Sequence, residues 1–232
     1  MVISEAIILA GGLGTRLRAA VPDLPKCMAQ VNEQPFLKYV IDHLLTQGIT
    51  HFIFSLGFKH EVIEAYIAKA FPSLLYKISL ENEPLGTGGA IKLACKLAKE
   101  KSVLIVNGDT LFKIDINKIA GFHSLSGANC TLSLKPMKNF DRYGVVEINE
   151  DLEITRFNEK QQYDEGLING GVYALHTNKF MDENLPEKFS FEKDYLEALY
   201  KTRRMFGVEQ DEYFIDIGIP EDYERAQREL KK

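Results

Sequence analysis

AIILAGGLGTRLRAAVPDLPKCM, residues 6–28, joins an apolar run to a glycine-rich loop and then to a group of cations. The run AIILA (6–10) is typical of a buried β-strand. Three glycines and three cations follow it: Gly11, Gly12, Gly14, Arg16, Arg18 and Lys26. A glycine-rich loop after a strand lets backbone N–H groups approach a phosphate without hindrance from a Cβ atom. We therefore expect the segment to bind a bulky anion close to the backbone.

This loop is neither of the two standard phosphate-binding loops. The dinucleotide fingerprint G-x-G-x-x-G would need glycine at position 17, which is Leu17, and the P-loop pattern G-x-x-x-x-G-K-[ST] is absent. The glycines alone are equally compatible with a tight turn that carries solvated arginines. Thr15 and Arg16, with Lys26 nearby, favour an anion site because hydroxyl and guanidinium donors suit phosphate oxygens.

Composition and charge exclude several classes of protein. The 232 residues suit one large domain, and 45% apolar with 26% charged residues is ordinary for a globular protein. A net charge of −5 argues against nucleic-acid binding, which requires a basic surface. No apolar run approaches the roughly 20 residues of a membrane span, and the N-terminal stretch is too short and too acidic for a signal peptide. Three widely spaced cysteines (Cys27, Cys95 and Cys130) fit a reduced, cytoplasmic protein.

Strand-like and helix-like segments alternate through the first half of the chain. Strands are predicted at 6–10, 51–56, 74–80 and 102–107, and helices at 36–48, 60–70 and 88–100. This alternation predicts an α/β fold, a Rossmann-like and mostly parallel sheet with helices on both faces. Ligands of such sheets bind at the carboxyl ends of the strands, so the loops after Ala10, Leu80 and Asn107 should meet at one cleft.

The second half of the chain changes character. Strands are predicted at 130–137, 143–149, 153–158, 168–176, 205–209 and 213–217, and helices at 190–201 and 220–231. Short links join the first four of these strands, which favours a mixed or antiparallel extension of the sheet.

The glycine loop also resembles a family signature. The run Leu9-Ala10-Gly11-Gly12-Leu13-Gly14-Thr15-Arg16-Leu17, with Pro25-Lys26 after it, resembles the L-A-G-G-x-G-T-R-L and P-K elements of the sugar-1-phosphate nucleotidyltransferases. The resemblance extends from residue 6 to about residue 226. It implies one nucleotidyltransferase domain of GT-A-like type over 1–232, with a nucleotide-binding half at 1–112 and a sugar-phosphate-binding half at 113–232. Cys27 stands where the family usually has the second proline of P-K-P.

The resemblance implies that a nucleoside triphosphate lies over the loop. The loop residues expected at the nucleotide are Leu9, Gly11, Gly12, Gly14 and Thr15. Arg16 would hold the β- and γ-phosphates, and Lys26 would stabilise the charge that develops at the α-phosphorus.

Base recognition is assigned by the resemblance to ENEPLGTGGAIK, residues 81–92. The expected nucleotide contacts are Glu81, Pro84, Gly86 and Thr87, with glycines at 86, 88 and 89 letting the base approach the backbone and Thr87 capping the next helix. An ionised carboxylate only accepts hydrogen bonds, which matches the neighbouring N1–H and N2–H donors of guanine, so Glu81 favours GTP. Glu83 is an alternative for this role, UTP and dTTP are alternative nucleotides, and a plain turn with a helix cap is an alternative structure.

Two acidic residues follow apolar strands. Asp109 ends VLIVNGD (103–109), and Asp216 lies in FIDIGIPEDY (214–223). Either residue alone could be a helix cap or a turn former, but both stand in frames like those of the family. Together they predict a Mg²⁺ site, because Mg²⁺ prefers oxygen ligands and shares them with substrate phosphates. Gly108 would keep the approach to the ribose and phosphate open.

Three short segments are expected to hold the sugar phosphate. By the resemblance, Gly144 lies under the sugar, Glu159 and Asn169 bind its hydroxyls, and Lys160 binds the 1-phosphate. A hairpin turn is the alternative for each segment, since N-G and N-E-K are common turn sequences. Ser190 is interpreted as a plain N-cap.

These expectations describe a direct phosphoryl transfer, in which the acceptor phosphate attacks the α-phosphorus of GTP and pyrophosphate leaves. The partners are GTP and a sugar 1-phosphate, without nucleic acid or membrane, and the oligomeric state stays open, a homo-oligomer included. The segments LGTRL, EPLGTGGAIK, NGD and FSFEKDYL look most similar to guanylyltransferases for D-glycero-α-D-manno-heptose 1-phosphate, whose GDP-sugar serves surface glycan synthesis. A mannose-1-phosphate guanylyltransferase is the near alternative. A non-catalytic nucleotide-sugar sensor and a metal-dependent glycosyltransferase are further alternatives, although N-G-D lacks the second acid of a D-x-D motif.

Overall fold

A computed structural model describes residues 2–12 and 24–230. Within these ranges the strands are β1 (Glu5–Leu9), β2 (Gln30–Val31), β3 (Gln34–Pro35), β4 (His51–Leu56), β5 (Leu75–Leu80), β6 (Ser102–Asn107), β7 (Thr110–Phe112), β8 (Cys130–Phe140), β9 (Val146–Ile148), β10 (Ile154–Phe157), β11 (Tyr163–His176), β12 (Met205–Glu209) and β13 (Phe214–Asp216). The helices are α1 (Phe36–Thr46), α2 (His60–Ala70), α3 (Gly86–Cys95), α4 (Ile116–Ser126), α5 (Thr177–Met181) and α6 (Pro220–Glu229). A 3₁₀ turn (Lys26–Met28) and a π-helix (Phe191–Glu197) complete the helical segments of this part of the chain.

Seven strands form the central sheet, in the order β12–β8–β11–β6–β1–β4–β5. Strands β5, β4, β1 and β6 run parallel to one another. Strand β11 is antiparallel to both of its neighbours, β6 and β8, and β12 is parallel to β8. The α/β class and the mixed extension are confirmed, and the reversal of direction comes from the single long strand β11.

Helices cover both faces of the sheet, as predicted. Along β1 the side chains alternate, so that Ala6 and Ile8 belong to one hydrophobic core and Ile7 belongs to the other. The first core contains residues of α1, α2, α4 and α6, and the second contains residues of α3, α5 and the π-helix. Four of the five residues of β1 are buried and the fifth is partly buried, which explains why the four residues after Glu5 are all apolar.

Three two-stranded ribbons of the described residues lie outside the main sheet, and β2–β3 is one of them. Strand β13 pairs antiparallel with β7, which sets Asp216 opposite Thr110. Strand β10 pairs with β9. The β7–β13 ribbon therefore brings the segment after β6 next to a segment close to the C-terminus.

Helix α4 was not predicted, although its ends carry ordinary signals. The carboxylate of Asp115 caps its first turn by accepting hydrogen bonds from the N–H groups of Asn117 and Lys118, and Gly127 ends it with a positive φ of 58°. The predicted helix at 190–201 begins as a π-helix, and Ser190 caps it as expected. Among residues 2–12 and 24–230, no helix combines the length and apolar character needed to cross a bilayer.

Candidate active site

A cleft of about 980 Å³ opens at the carboxyl ends of β1, β4, β5 and β6. Its described lining includes Leu9, Ala10, Gly11, Gly12, Lys26, Glu81, Glu83, Pro84, Gly86, Thr87, Asn107, Asp109 and Asp216. The predicted meeting of the loops after Ala10, Leu80 and Asn107 is thus confirmed. Most of the expected nucleotide and metal residues within the described part of the chain share this one cavity.

Lys26 lies between two carboxylates in the cleft. Its Nζ atom is 2.5 Å from Oδ2 of Asp109 and 3.4 Å from Oδ1 of Asp216. Lys26 is placed by the 3₁₀ turn that it begins, and the two aspartates are brought together by the β7–β13 ribbon. The backbone completes the arrangement, because Ile217 N–H donates to the Asp109 carbonyl at 3.1 Å and Gly218 N–H donates to the Asp216 carboxylate at 2.8 Å.

The charges of this cluster depend on one another. Burial acts to lower the pKa of Lys26, but Asp109 and Asp216 outweigh that effect, so the pKa is raised and the ammonium stays charged. Burial raises the pKa of Asp216, and Lys26 opposes the rise while Asp109 adds to it. Burial raises the pKa of the adjacent Cys27 to about 12, so this side chain is a neutral thiol and a poor nucleophile.

The glycine loop begins at the cleft wall. A Cβ atom at Gly11 would lie 2.8 Å from Oε1 of Glu81 and 3.1 Å from the Gly57 nitrogen, whereas one at Gly12 would meet nothing within 4 Å in the described chain. Gly11 therefore allows the chain to pass close to Glu81, whereas the described residues place no such constraint on Gly12. Three expected phosphate-binding residues lie outside the described residues: Gly14, Thr15 and Arg16.

Gly108 packs against the end of β1, next to the cleft. Its N–H donates to the Leu9 carbonyl at 2.8 Å. A Cβ atom there would lie 3.1 Å from the same oxygen and 3.4 Å from Cβ of Cys27. Gly108 is buried, and its missing side chain lets β6 continue closely past β1.

Glu81 is half-buried at the wall of the cleft. Its Oε2 atom accepts a hydrogen bond from the Leu85 N–H at 3.0 Å. Burial raises the pKa of Glu81, and this hydrogen bond opposes the rise. Glu83 and Pro84 are exposed along the same lining. Of the two acids considered for base recognition, Glu81 is the one fixed in position by the backbone.

The glycines at 86, 88 and 89 make room for another part of the protein. A Cβ atom at Gly86 would lie 2.5 Å from the Phe189 carbonyl oxygen, one at Gly88 would overlap the Phe189 ring, and one at Gly89 would overlap the Glu187 carbonyl oxygen. Gly86 also has a positive φ of 73° and lines the cleft. Close packing against residues 187–189 therefore requires all three glycines, and their expected role in the approach of a base stays a prediction.

Thr87 is not the cap of α3, contrary to expectation. The N-cap position is Leu85, without a side-chain hydrogen bond, and Thr87 lies inside the first turn. The Thr87 hydroxyl instead accepts from the Phe191 N–H at 2.9 Å and donates to the Glu192 carboxylate at 2.7 Å.

The expected acceptor residues lie outside the described lining of the cleft. The Asn169 amide donates to the Tyr173 hydroxyl at 2.9 Å and accepts from the Gly171 N–H at 3.0 Å, within an irregular stretch of β11. Gly171 is next to the cleft, since a Cβ atom there would lie 2.8 Å from Nδ2 of Asn107.

Gly144 lies against the loop that carries Glu159 and Lys160. A Cβ atom at Gly144 would overlap the Asn158 carbonyl oxygen. The side chains of Glu159 and Lys160 are exposed, and the Glu159 carbonyl accepts a hydrogen bond from the Tyr163 hydroxyl at 2.9 Å. Three of the acceptor residues are thus neighbours at one surface, and Asn169 lies on β11 closer to the cleft.

Residues 5–232 match the model of the family described as nucleotidyl transferase. The chain belongs to the nucleotidyl transferase family. This assignment favours the nucleotidyltransferase interpretation over the glycosyltransferase alternative.

Individual relatives match this nucleotidyl transferase almost from end to end. The chain is 50% identical over 227 residues to the D-glycero-alpha-D-manno-heptose 1-phosphate guanylyltransferase of Aneurinibacillus thermoaerophilus, with 98% of each chain covered. It is 46% identical to the enzyme of the same name from Campylobacter jejuni, over 94% of this chain and 96% of that protein. The crystal structure of HddC from Yersinia pseudotuberculosis complexed with GMP-PN has a TM-score of 0.88 and 37% identity, covering 99% of this chain and 100% of HddC.

The loop after β4 is a part of the nucleotidyl transferase cleft that the sequence interpretation missed. Ser55, Gly57, Phe58 and His60 line the cavity. The Nδ1 atom of His60 is 2.6 Å from Oε1 of Glu64, which fixes the imidazole at the start of α2. The rule that directed attention to the other strand ends applies to β4 as well, because β4 lies between β1 and β5 in the parallel part of the sheet.

Proposed function

We propose that the protein transfers GMP from GTP to D-glycero-α-D-manno-heptose 1-phosphate, giving a GDP-sugar and pyrophosphate. One observation carries the proposed chemistry: Lys26, Asp109 and Asp216 converge in the cleft that Gly11 and Gly12 line. The names and near-complete coverage of the Aneurinibacillus and Campylobacter relatives support the choice of sugar and nucleotide.

The reaction is an in-line displacement at the α-phosphorus. A phosphate monoester is already an anionic nucleophile, so the chain needs to supply position and positive charge more than a strong base. Lys26 keeps its charge because two carboxylates hold it, and its ammonium is available in the cleft for an oxygen on the α-phosphate. Arg16 is proposed for the β- and γ-phosphates.

Asp109 and Asp216 would hold Mg²⁺. The donor set fits this ion, because two carboxylates converge on one cationic atom, the Nζ of Lys26. Within residues 2–12 and 24–230, no group of three or more histidine, cysteine or acidic side chains is arranged for a metal ion, so further ligands would come from substrate phosphates and water. When bound, the ion would supply polarisation of the α-phosphate and neutralisation of the leaving pyrophosphate.

Glu81 is proposed to read guanine. Its Oε1 atom and the second lone pair of Oε2 can accept the N1–H and N2–H donors of guanine while Leu85 keeps the carboxylate in place. Hydrogen bonds to a charged group contribute about 1.5–3 kcal/mol each, so two of them would discriminate strongly against adenine and uracil. The acceptor roles of Gly144, Glu159, Lys160 and Asn169 stay proposals that rest on the resemblance.

A substrate matrix tests these assignments. Each of four nucleoside triphosphates is combined with each of several sugar 1-phosphates in the presence of Mg²⁺, and the release of pyrophosphate is measured. We expect turnover with GTP and the heptose 1-phosphate, and at least tenfold lower kcat/KM with mannose 1-phosphate or another nucleotide. In the same matrix Glu81→Gln should lose most of the selectivity for GTP, and the matched control Glu83→Gln should keep it. Preference for another nucleotide in the wild-type protein would refute the guanylyl assignment, and selectivity that survives Glu81→Gln would refute the role of this residue.

A further inference from the structure

Thr87 joins the nucleotide side of the cleft to the helix behind it. Its hydroxyl accepts a hydrogen bond from the Phe191 N–H at 2.9 Å and donates one to Oε2 of Glu192 at 2.7 Å. The same Glu192 oxygen accepts from the Ser190 hydroxyl at 3.0 Å. Thr87 also lines the cleft, so one residue touches both the nucleotide cavity and the first turn of the π-helix.

The backbone reinforces this junction. Phe189 N–H donates to the Leu85 carbonyl at 3.0 Å, and Gly88 N–H donates to the Phe189 carbonyl at 3.0 Å. These hydrogen bonds hold residues 187–191 against the base loop, which is residues 81–87, and the glycines of α3 allow the close approach.

The π-helix in turn contacts the proposed acceptor side. The ring of Phe191 packs edge-on against that of Tyr173 with centroids 5.1 Å apart, and the Tyr173 hydroxyl accepts a hydrogen bond from Asn169. Burial raises the pKa of Tyr173, and the negative charge of Glu192 adds to the rise. Successive contacts through Phe191 and Tyr173 thus connect Thr87 to Asn169.

We propose that Thr87 is a positioning residue that couples occupancy of the nucleotide cleft to the affinity of the acceptor site. Nucleotide contact with the base loop fixes Thr87, Thr87 fixes the first turn of the π-helix, and that turn supports the Tyr173–Asn169 pair. The inference rests on the proposed function, because it assigns Asn169 to the acceptor. π-Helical turns inside otherwise ordinary helices are often found at functional sites, which agrees with a mechanical role for this one.

The hydroxyl is the essential group, since it accepts one hydrogen bond and donates another at the same time. Valine has the shape of threonine but can do neither, and serine can do both. Thr87→Val and Thr87→Ser are therefore the informative pair. Thr46→Val is a matched control, because the Thr46 hydroxyl bonds only within the end of α1, to the His43 carbonyl at 2.7 Å among the contacts of the described residues.

The test measures acceptor binding by calorimetry with and without α,β-methylene GTP, which cannot transfer its nucleotidyl group. In the wild-type protein the analogue should tighten acceptor binding. In Thr87→Val the factor by which the analogue tightens acceptor binding should fall about tenfold, whatever the affinity of the variant for the analogue alone. Thr87→Ser and Thr46→Val should both behave like the wild-type protein. Hydrogen exchange gives a second readout, in which the analogue should protect residues 187–197 in the wild-type protein and not in Thr87→Val.

Two results would overturn the coupling. These are an unchanged tightening factor in Thr87→Val and failure of serine to preserve the wild-type behaviour. A loss of acceptor affinity that is equal with and without the analogue would leave the factor unchanged and would indicate general damage to the site. The assay uses the nucleotide analogue and sugar 1-phosphate that the substrate matrix selects, so a different base or sugar would refute the proposed function without deciding the coupling.

Discussion

Replacing Lys26 by methionine is the sharpest test of the charged cluster. The substitution removes an ammonium that lies 2.5 Å from Asp109 and 3.4 Å from Asp216, and it keeps an unbranched side chain in place. Two carboxylates then face each other with only 30% and 25% of their side chains exposed. We expect the nucleotide-free protein to lose stability and the enzyme to lose turnover.

The size of the effect follows from the burial of the cluster. Breaking a buried ion pair by removing one partner costs about 3–5 kcal/mol, whereas exposed pairs contribute about 1 kcal/mol or less. Partial exposure puts the cost here at about 2 kcal/mol, which lowers the Tm of a domain of this size by about 4–8 °C. Loss of a donor that stabilises transition-state charge should also lower kcat by about 10²–10³-fold.

The stability lost in Lys26→Met should depend on pH. Burial already raises the pKa of Asp216, and without Lys26 the repulsion from Asp109 raises it further. A carboxyl group whose folded pKa lies above its unfolded value destabilises the protein once pH rises through the folded pKa, because the unfolded chain releases the proton more easily. The deficit of Lys26→Met should therefore be larger at pH 8 than at pH 5.

Thermal unfolding of four proteins at both pH values is the assay. Lys26→Met should be compared with the wild type, with the double variant Lys26→Met/Asp109→Asn, and with Lys38→Met. The double variant should recover most of the lost Tm. Lys38 pairs with Asp42 on the exposed face of α1, so its variant should shift Tm by less than about 3 °C. Two results would refute the reasoning. One is a Tm of Lys26→Met within 1 °C of the wild-type value at pH 8, and the other is a double variant whose Tm is no higher than that of Lys26→Met.

The parallel half of the sheet could be predicted because its signals are local. The run HFIFSL matches β4 residue for residue, and the helix that follows matches α2, since an apolar strand buried on both faces and an amphipathic helix each leave a periodic pattern. Helix α4 has weaker periodicity and a glycine in its middle, Gly121, which hid it although Asp115 and Gly127 mark its ends.

The sequence could predict which residues belong to the candidate site, but not what every one of them does there. The strand-end rule and the family resemblance brought Lys26, Asp109 and Asp216 to one place, and the cleft contains all three. What a glycine is for depends on the atoms that pack against it, and nothing in the sequence near Gly88 shows that Phe189 occupies the space. For the same reason the Thr87 hydroxyl was interpreted as a local cap, when its partners lie about a hundred residues further along the chain.

Two further predictions test the fold around the site. Gly88→Ala should lower the free energy of unfolding by about 1–3 kcal/mol, because its Cβ atom would overlap the buried Phe189 ring. Gly121→Ala is the control and should raise the free energy of unfolding by up to about 1 kcal/mol, because its Cβ atom would meet nothing within 4 Å among the described residues. Equal shifts of the two variants in thermal unfolding would contradict the packing argument. The second prediction concerns His123, which is 3% exposed and paired with the Thr131 hydroxyl at 3.0 Å. Burial, reinforced by His176 and Lys179, lowers the pKa of His123 to about 4, so the unfolded chain takes up a proton that the folded protein resists as pH falls below about 6.5. Between pH 7 and pH 4.5 the wild-type protein should lose about 2 kcal/mol more unfolding free energy than His123→Asn, measured by urea denaturation. Parallel losses in the two proteins would mean that this imidazole is protonated as easily in the folded state as in the unfolded one.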